Sequence, residues 1–181
     1  MVTSNVCRVA LATIAVAVGL QTAAADDKTE KKPVADTSSY LRDDGQLKSG
    51  LTLRDAQSGF AGETGQLISI QPSGEWSVQK FTNEKLAEPK GKGKLSKEQL
   101  AELAQSLAQQ DFAGLPKSIG KPLRANPRVV TVTIGKQSVV FTRNAGPLPK
   151  HDAKKDKSEP AARLAEVIRT IQKLVGEAKG R

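Results

Sequence analysis

Apolar and polar positions alternate with a two-residue period at Leu51 and Leu53, and again at Trp76 and Val78, with Phe81 just beyond. That is the period of a half-buried strand. Leu67, Ile68 and Ile70 precede Pro72, Ser73 and Gly74, a turn that predicts a hairpin with the Trp76 strand, which the Leu51 strand can join as an extra member. Val130, Val132 and Ile134, then Val139, Val140 and Phe141, flank Gly135 and Lys136 and predict a second hairpin from their β-branched content. Between the hairpins the period changes. Leu100, Leu103, Ala104 and Leu107 recur at helical spacing after Ser96 and Gln99, the two members of a capping box. A second amphipathic stripe, Leu164, Val167, Ile168, Ile171, Leu174 and Val175, follows Ser158 as a cap and Pro160 in the first turn. The expected fold is therefore α+β: an antiparallel four-stranded sheet of two β-hairpins, with two amphipathic helices packed on one face, in the order ββαββα.

The ends of the chain read differently. Arg8, an apolar run from Val9 to Leu20 and the small residues Ala23, Ala24 and Ala25 have the layout of a signal peptide over residues 1–25, cleaved near Ala25. The run falls short of the roughly 18 apolar residues that a bilayer-spanning helix needs. No membrane span is expected in the mature form, and export to the periplasm or the medium is. Cys7 leaves with that peptide, so no disulfide framework is available to the rest. Residues 26–47 are charged, rich in turn formers and nearly without apolar periodicity, the composition of a disordered polar linker in which Tyr40 and Leu41 can dock only locally. A single domain is expected over residues 48–178, folding as a monomer around an aliphatic core, since only 3% of residues are aromatic.

Chemistry is scarce in what remains. The single histidine, His151, lies in a lysine-rich stretch beside Asp152 and cannot by itself form a multi-histidine metal site. Glu98 and Glu102 flank the apolar stripe of the first helix and read as solubilising charges. No P-loop, dinucleotide fingerprint or serine elbow is present, so no enzyme, cofactor or metal is expected. A formal net charge of +9 raises the question of nucleic acid. The lysines from Lys85 to Lys97 and from Lys150 to Lys157 are not interleaved with aromatics that stack on bases, so nucleic acid is not the expected partner. Attraction of these loops to acidic envelope material is the alternative expectation.

The most unusual local sequence runs from Gln57 to Gly65 and reads as a glycine-rich loop. Within it, Ser58, Gly59, Phe60, Ala61 and Gly62 form a candidate partner-binding loop. Two fates are open to Phe60: folding back to plug one end of the core, or presentation to a partner as an anchor.

The segment RDAQSGFAG (Arg54 to Gly62), the stretch LSKEQLAELAQSLAQQDFAGL (Leu95 to Leu115), the VVTVTIGKQSVVFT hairpin and the terminal AARLAEVIRTIQKLV helix together resemble emfourin, a small bacterial inhibitor of thermolysin-like metallopeptidases. The resemblance covers about residues 50–176, with longer loops. Ser58 stands where the family tends to have a second glycine, and Asn126, Pro127 and Arg128 stand where it tends to have acidic and aromatic residues. It implies a protein partner, a secreted metallopeptidase, whose cleft is occupied by surface complementarity without cofactor or covalent step.

Overall fold

The computed structural model describes residues 36–121, 126–144, 148 and 159–179. The residues expected as a signal peptide lie outside these, as do His151 and the lysines from Lys150 to Lys157.

The expected four-stranded sheet in the order ββαββα does not form. One mixed sheet of eight strands forms in its place. The strands are β1 (Leu51–Gly59), β2 (Gly62–Ile70), β3 (Glu75–Thr82), β4 (Lys85–Leu86), β5 (Gly91–Lys94), β6 (Ser118–Ile119), β7 (Arg128–Ile134) and β8 (Gln137–Arg143). Two helices, α1 (Lys97–Gln109) and α2 (Pro160–Lys179), complete the fold. The strand order is β4-β3-β2-β1-β7-β8-β6, with β5 paired to β3. All pairings are antiparallel except that of β6 with β8.

Two causes account for the difference. The glycine-bearing stretch after Leu53 is not a loop, because β1 and β2 continue as a paired ladder from Leu51↔Ile70 to Gly59↔Gly62. The short strands β4, β5 and β6 are two- to four-residue segments that gain their backbone partners from a longer neighbour, and are too short to carry a periodicity of their own. In β5, the sequence GKGK pairs along β3 and sets Gly93 opposite Trp76. The Gly93 backbone lies directly on the indole, whose residue is 3% exposed.

Alternation then assigns the faces. Leu51, Leu53, Ile68, Ile70, Trp76, Val130, Val132, Ile134, Val139 and Phe141 share one side of the sheet, and all are buried. The stripe of α1 and the apolar residues of α2 join the same cluster. Ser96 caps α1, its hydroxyl accepting from the Gln99 N–H while Gln99 Oε1 accepts from the Ser96 N–H at 3.0 Å. From α2, Arg163 donates to the carbonyls of Gln110 and Asp111, both at 2.7 Å, supplying donors to the end of α1. Lys173 of α2 pairs with Glu102 of α1 at 3.0 Å.

The described part of the stretch expected as a linker, residues 36–47, packs onto this body. Leu47 is fully buried, Tyr40 is buried, and Leu41 bridges Leu47.

Candidate functional site

The β1–β2 ladder outruns the core. Past Leu53 and Ile68 the helix-side face of the sheet turns polar, with Asp55, Gln57, Thr64, Gln66, Lys80 and Arg128 lining a groove. β7 and β3 flank the ladder as far as Gln57 and Thr64, and only the pairs Ser58↔Glu63 and Gly59↔Gly62 run on as two strands. A two-stranded end is marginal in water by itself and needs bracing. Three sets of contacts supply it.

On the groove side, Arg128 donates to both carboxylate oxygens of Asp55, through Nε at 2.7 Å and Nη2 at 2.5 Å. This bidentate pair ties β7 to β1 near the end of their pairing. The Ser58 N–H donates to the Pro127 carbonyl at 3.1 Å, and the Gln57 amide donates to the Asn126 carbonyl at 2.5 Å, continuing the tie toward the tip.

On the opposite face, Arg54 donates to Glu63 through both terminal nitrogens, at 3.0 and 2.6 Å. The guanidinium also lies over the Phe81 ring, 4.4 Å from its centroid, a cation–π contact. The ring in turn covers Gly65, where a Cβ would stand 2.6 Å from Cζ of Phe81 and would overlap the Asp55 carbonyl. Phe81 is thereby buried on the solvent side of the sheet, at 5% exposure. Hydrogen bonding to Arg54 lowers the Glu63 pKa, and the same bond raises that of Arg54, so both stay charged at neutral pH.

The third brace comes from the turn after β3. Asn83 takes a left-handed conformation with φ 54°. Its N–H donates to the Glu63 carbonyl at 2.5 Å, and its Oδ1 accepts from the Glu63 N–H at 2.9 Å. Gly62, with φ +99°, sits against the same amide, leaving no room for a side chain.

What these braces hold is the tip. Ser58 and Gly59 end β1, Phe60 and Ala61 make the turn, and Gly62 begins β2. The five residues expected as a loop are thus a tight hairpin end. Phe60 is 109% exposed, so it does not fold back to plug the core. Leu86 of β4, 53% exposed, is the other large apolar residue left open among the described residues.

Asn83, Leu86 and the two arginine–carboxylate pairs were not apparent as site elements in the sequence. The left-handed tolerance of asparagine in Thr82-Asn83-Glu84 was the one available signal. Among the described residues no group of three or more His, Cys, Asp or Glu side chains is placed to hold a metal ion. Glu102 is engaged by Lys173, while Glu98 is exposed at the start of α1. No helix among the described residues is long and apolar enough to cross a membrane. No protein-family model matches the chain, and no curated protein matches it.

Proposed function

We propose that this is an exported, non-enzymatic binding protein that inserts the β1–β2 hairpin tip into a cleft of another protein, as an inhibitor of thermolysin-type metallopeptidases. The observation that carries this reading is the complete exposure of Phe60 on a hairpin tip braced from three directions. An exposed phenylalanine contributes little to folding. An apolar ring presented on a preorganised turn loses little entropy on docking and is suited to be an interface anchor. The class of target comes from the emfourin resemblance of the SGFAG segment and of the elements after Leu95.

The test is a titration of a thermolysin-type enzyme with the purified chain from Asp26 onward, alongside Phe60→Ala. Loss of peptidase activity at stoichiometric ratios, abolished by the substitution, is the expected result. Full activity at high excess of the protein would dismiss the inhibitor reading.

A second reading has one observation in its favour. Lys92 and Lys94 are exposed on β5 and make no ion pair among the described residues, as expected of a domain held near acidic envelope material. The same lysines also protect an exposed sheet edge from pairing with other chains, which explains them without a ligand. The two readings part on salt: screening abolishes lysine-mediated attachment and leaves insertion of an apolar tip largely intact.

A further inference from the structure

We infer that the β3–β4 hairpin is the second half of the contact surface, with Leu86 as a second apolar anchor held at a fixed spacing from Phe60 by Asn83. This rests on the reading of the Phe60 tip as the contact element, and it extends that tip to a two-point surface.

Phe60 and Leu86 are the two large apolar side chains left exposed among the described residues, and they lie at the same end of the sheet. The register fixes their relation. Leu86 is paired with Phe81, Phe81 with Gly65, and Gly65 lies three residues from Gly62 at the tip. Strand spacing and rise then separate the two anchors by about 15 Å. A single protein cleft spans that distance.

The spacing is held rather than incidental. Asn83, in the turn between β3 and β4, exchanges two hydrogen bonds with Glu63, one with its carbonyl and one with its N–H. Glu63 is the residue after Gly62, and the Asn83 amide fills the space beside Gly62. The two hairpin ends are therefore joined at their closest approach and move as one body. Leu86 gains its backbone partner from Phe81, whose ring lies under Arg54, so the second anchor shares the bracing of the first.

Charge selects the occupant. Between residues 80 and 90, around the β3–β4 turn, three lysines outnumber two glutamates, and none of these lysines has an ion pair among the described residues. A second copy of the chain would bring like charges together. The occupant that fits is a folded protein with an apolar cleft and an acidic rim.

Three variants of the full chain test this. Asn83→Gly keeps the left-handed backbone and removes the amide; Asn83→Asp keeps the acceptor Oδ1; Leu86→Ser removes the anchor. In amide hydrogen exchange, which needs no partner, Asn83→Gly is expected to speed exchange at residues 60–64 by about tenfold or more, with Asn83→Asp close to wild type. In titrations of a thermolysin-type enzyme, Leu86→Ser and Asn83→Gly are each expected to weaken inhibition by about tenfold, and Phe60→Ala by more. Unchanged exchange in Asn83→Gly would overturn the joint. Full inhibition by Leu86→Ser, with Phe60→Ala inactive, would overturn the second anchor and leave the single-tip reading standing. Wild-type inhibition by Phe60→Ala would remove the tip reading and Leu86 with it. A concentration-dependent dimer dissolved by Leu86→Ser or Phe60→Ala would replace the acidic partner by a second copy.

Discussion

Replacing Gly65 by alanine places one methyl group where the outer face of the hairpin has no space. The new Cβ would stand 2.6 Å from Cζ and 2.9 Å from Cε1 of Phe81, and would overlap the Asp55 carbonyl on the neighbouring strand. Phe81 can yield only by lifting toward Arg54, which Glu63 holds over the ring. Overpacking of this kind costs about 1–3 kcal/mol. An alanine ordinarily improves on glycine in a strand interior by about 0.5–1 kcal/mol, which offsets part of that cost. The expected net loss is about 1–2 kcal/mol, a fall in Tm of about 3–7 °C for a domain of this size. Thermal and urea unfolding followed by circular dichroism measure it. In a Phe81→Leu background the ring edge is gone while the Asp55 carbonyl remains, so the same substitution should cost about 1 kcal/mol less there. A Gly65→Ala protein as stable as wild type, or strict additivity with Phe81→Leu, would refute the account of ring and glycine as one packed unit.

Phe60→Ala should leave Tm unchanged within the roughly 0.5 kcal/mol typical of a surface substitution, because its side chain is open in the free protein. The Glu63 pKa is lowered from an ordinary 4.5, so its ion pair with Arg54 stabilises fully above that pH and is lost as pH falls through the lowered value. Glu63→Gln should therefore cost about 0.5 kcal/mol near neutrality, as expected for a pair about one-third exposed, and progressively less as pH falls below 4.5; urea titrations across that range compare them. Ser96→Ala removes one half of the capping box and should cost about 1 kcal/mol, read in the same way.

Much of the helical part of the fold was legible in the sequence because it rests on local signals. Ser96 and Gln99 announce α1 by chemistry within four residues, and the stripe from Leu100 to Leu107 declares its buried face. Pro160 likewise begins α2. The sheet was legible only where one face meets the core. β1 and β2 alternate apolar and polar residues near Leu51 and Ile70, but toward Gly59 neither face has a helix against it. There the sequence is Asp55, Gln57, Thr64 and Gln66, with nothing to distinguish a strand from a loop. What makes these residues a ladder is long-range: the Asp55–Arg128 pair joins positions far apart in the chain, and the Asn83–Glu63 bonds join two different turns. Tyr40 and Leu47 show the same limit. Each is a lone apolar residue in a polar stretch, and its burial depends on a surface contributed by distant elements. The SGFAG segment stood out by its composition, but composition did not choose between a buried and a presented Phe60. The tight turn across Gly59 and Gly62 makes that choice, because it directs the ring away from the body of the sheet.

The contact between the indole and Gly93 has an optical consequence. The chain carries one tryptophan, and it is roofed by an edge strand of four residues at a place remote from the hairpin end that bears Phe60. Its emission is therefore a single-site gauge of whether that edge stays closed. It should redden when the sheet opens in denaturant and stay nearly constant while a ligand is engaged at the far end, so that one fluorometer separates loss of structure from occupancy.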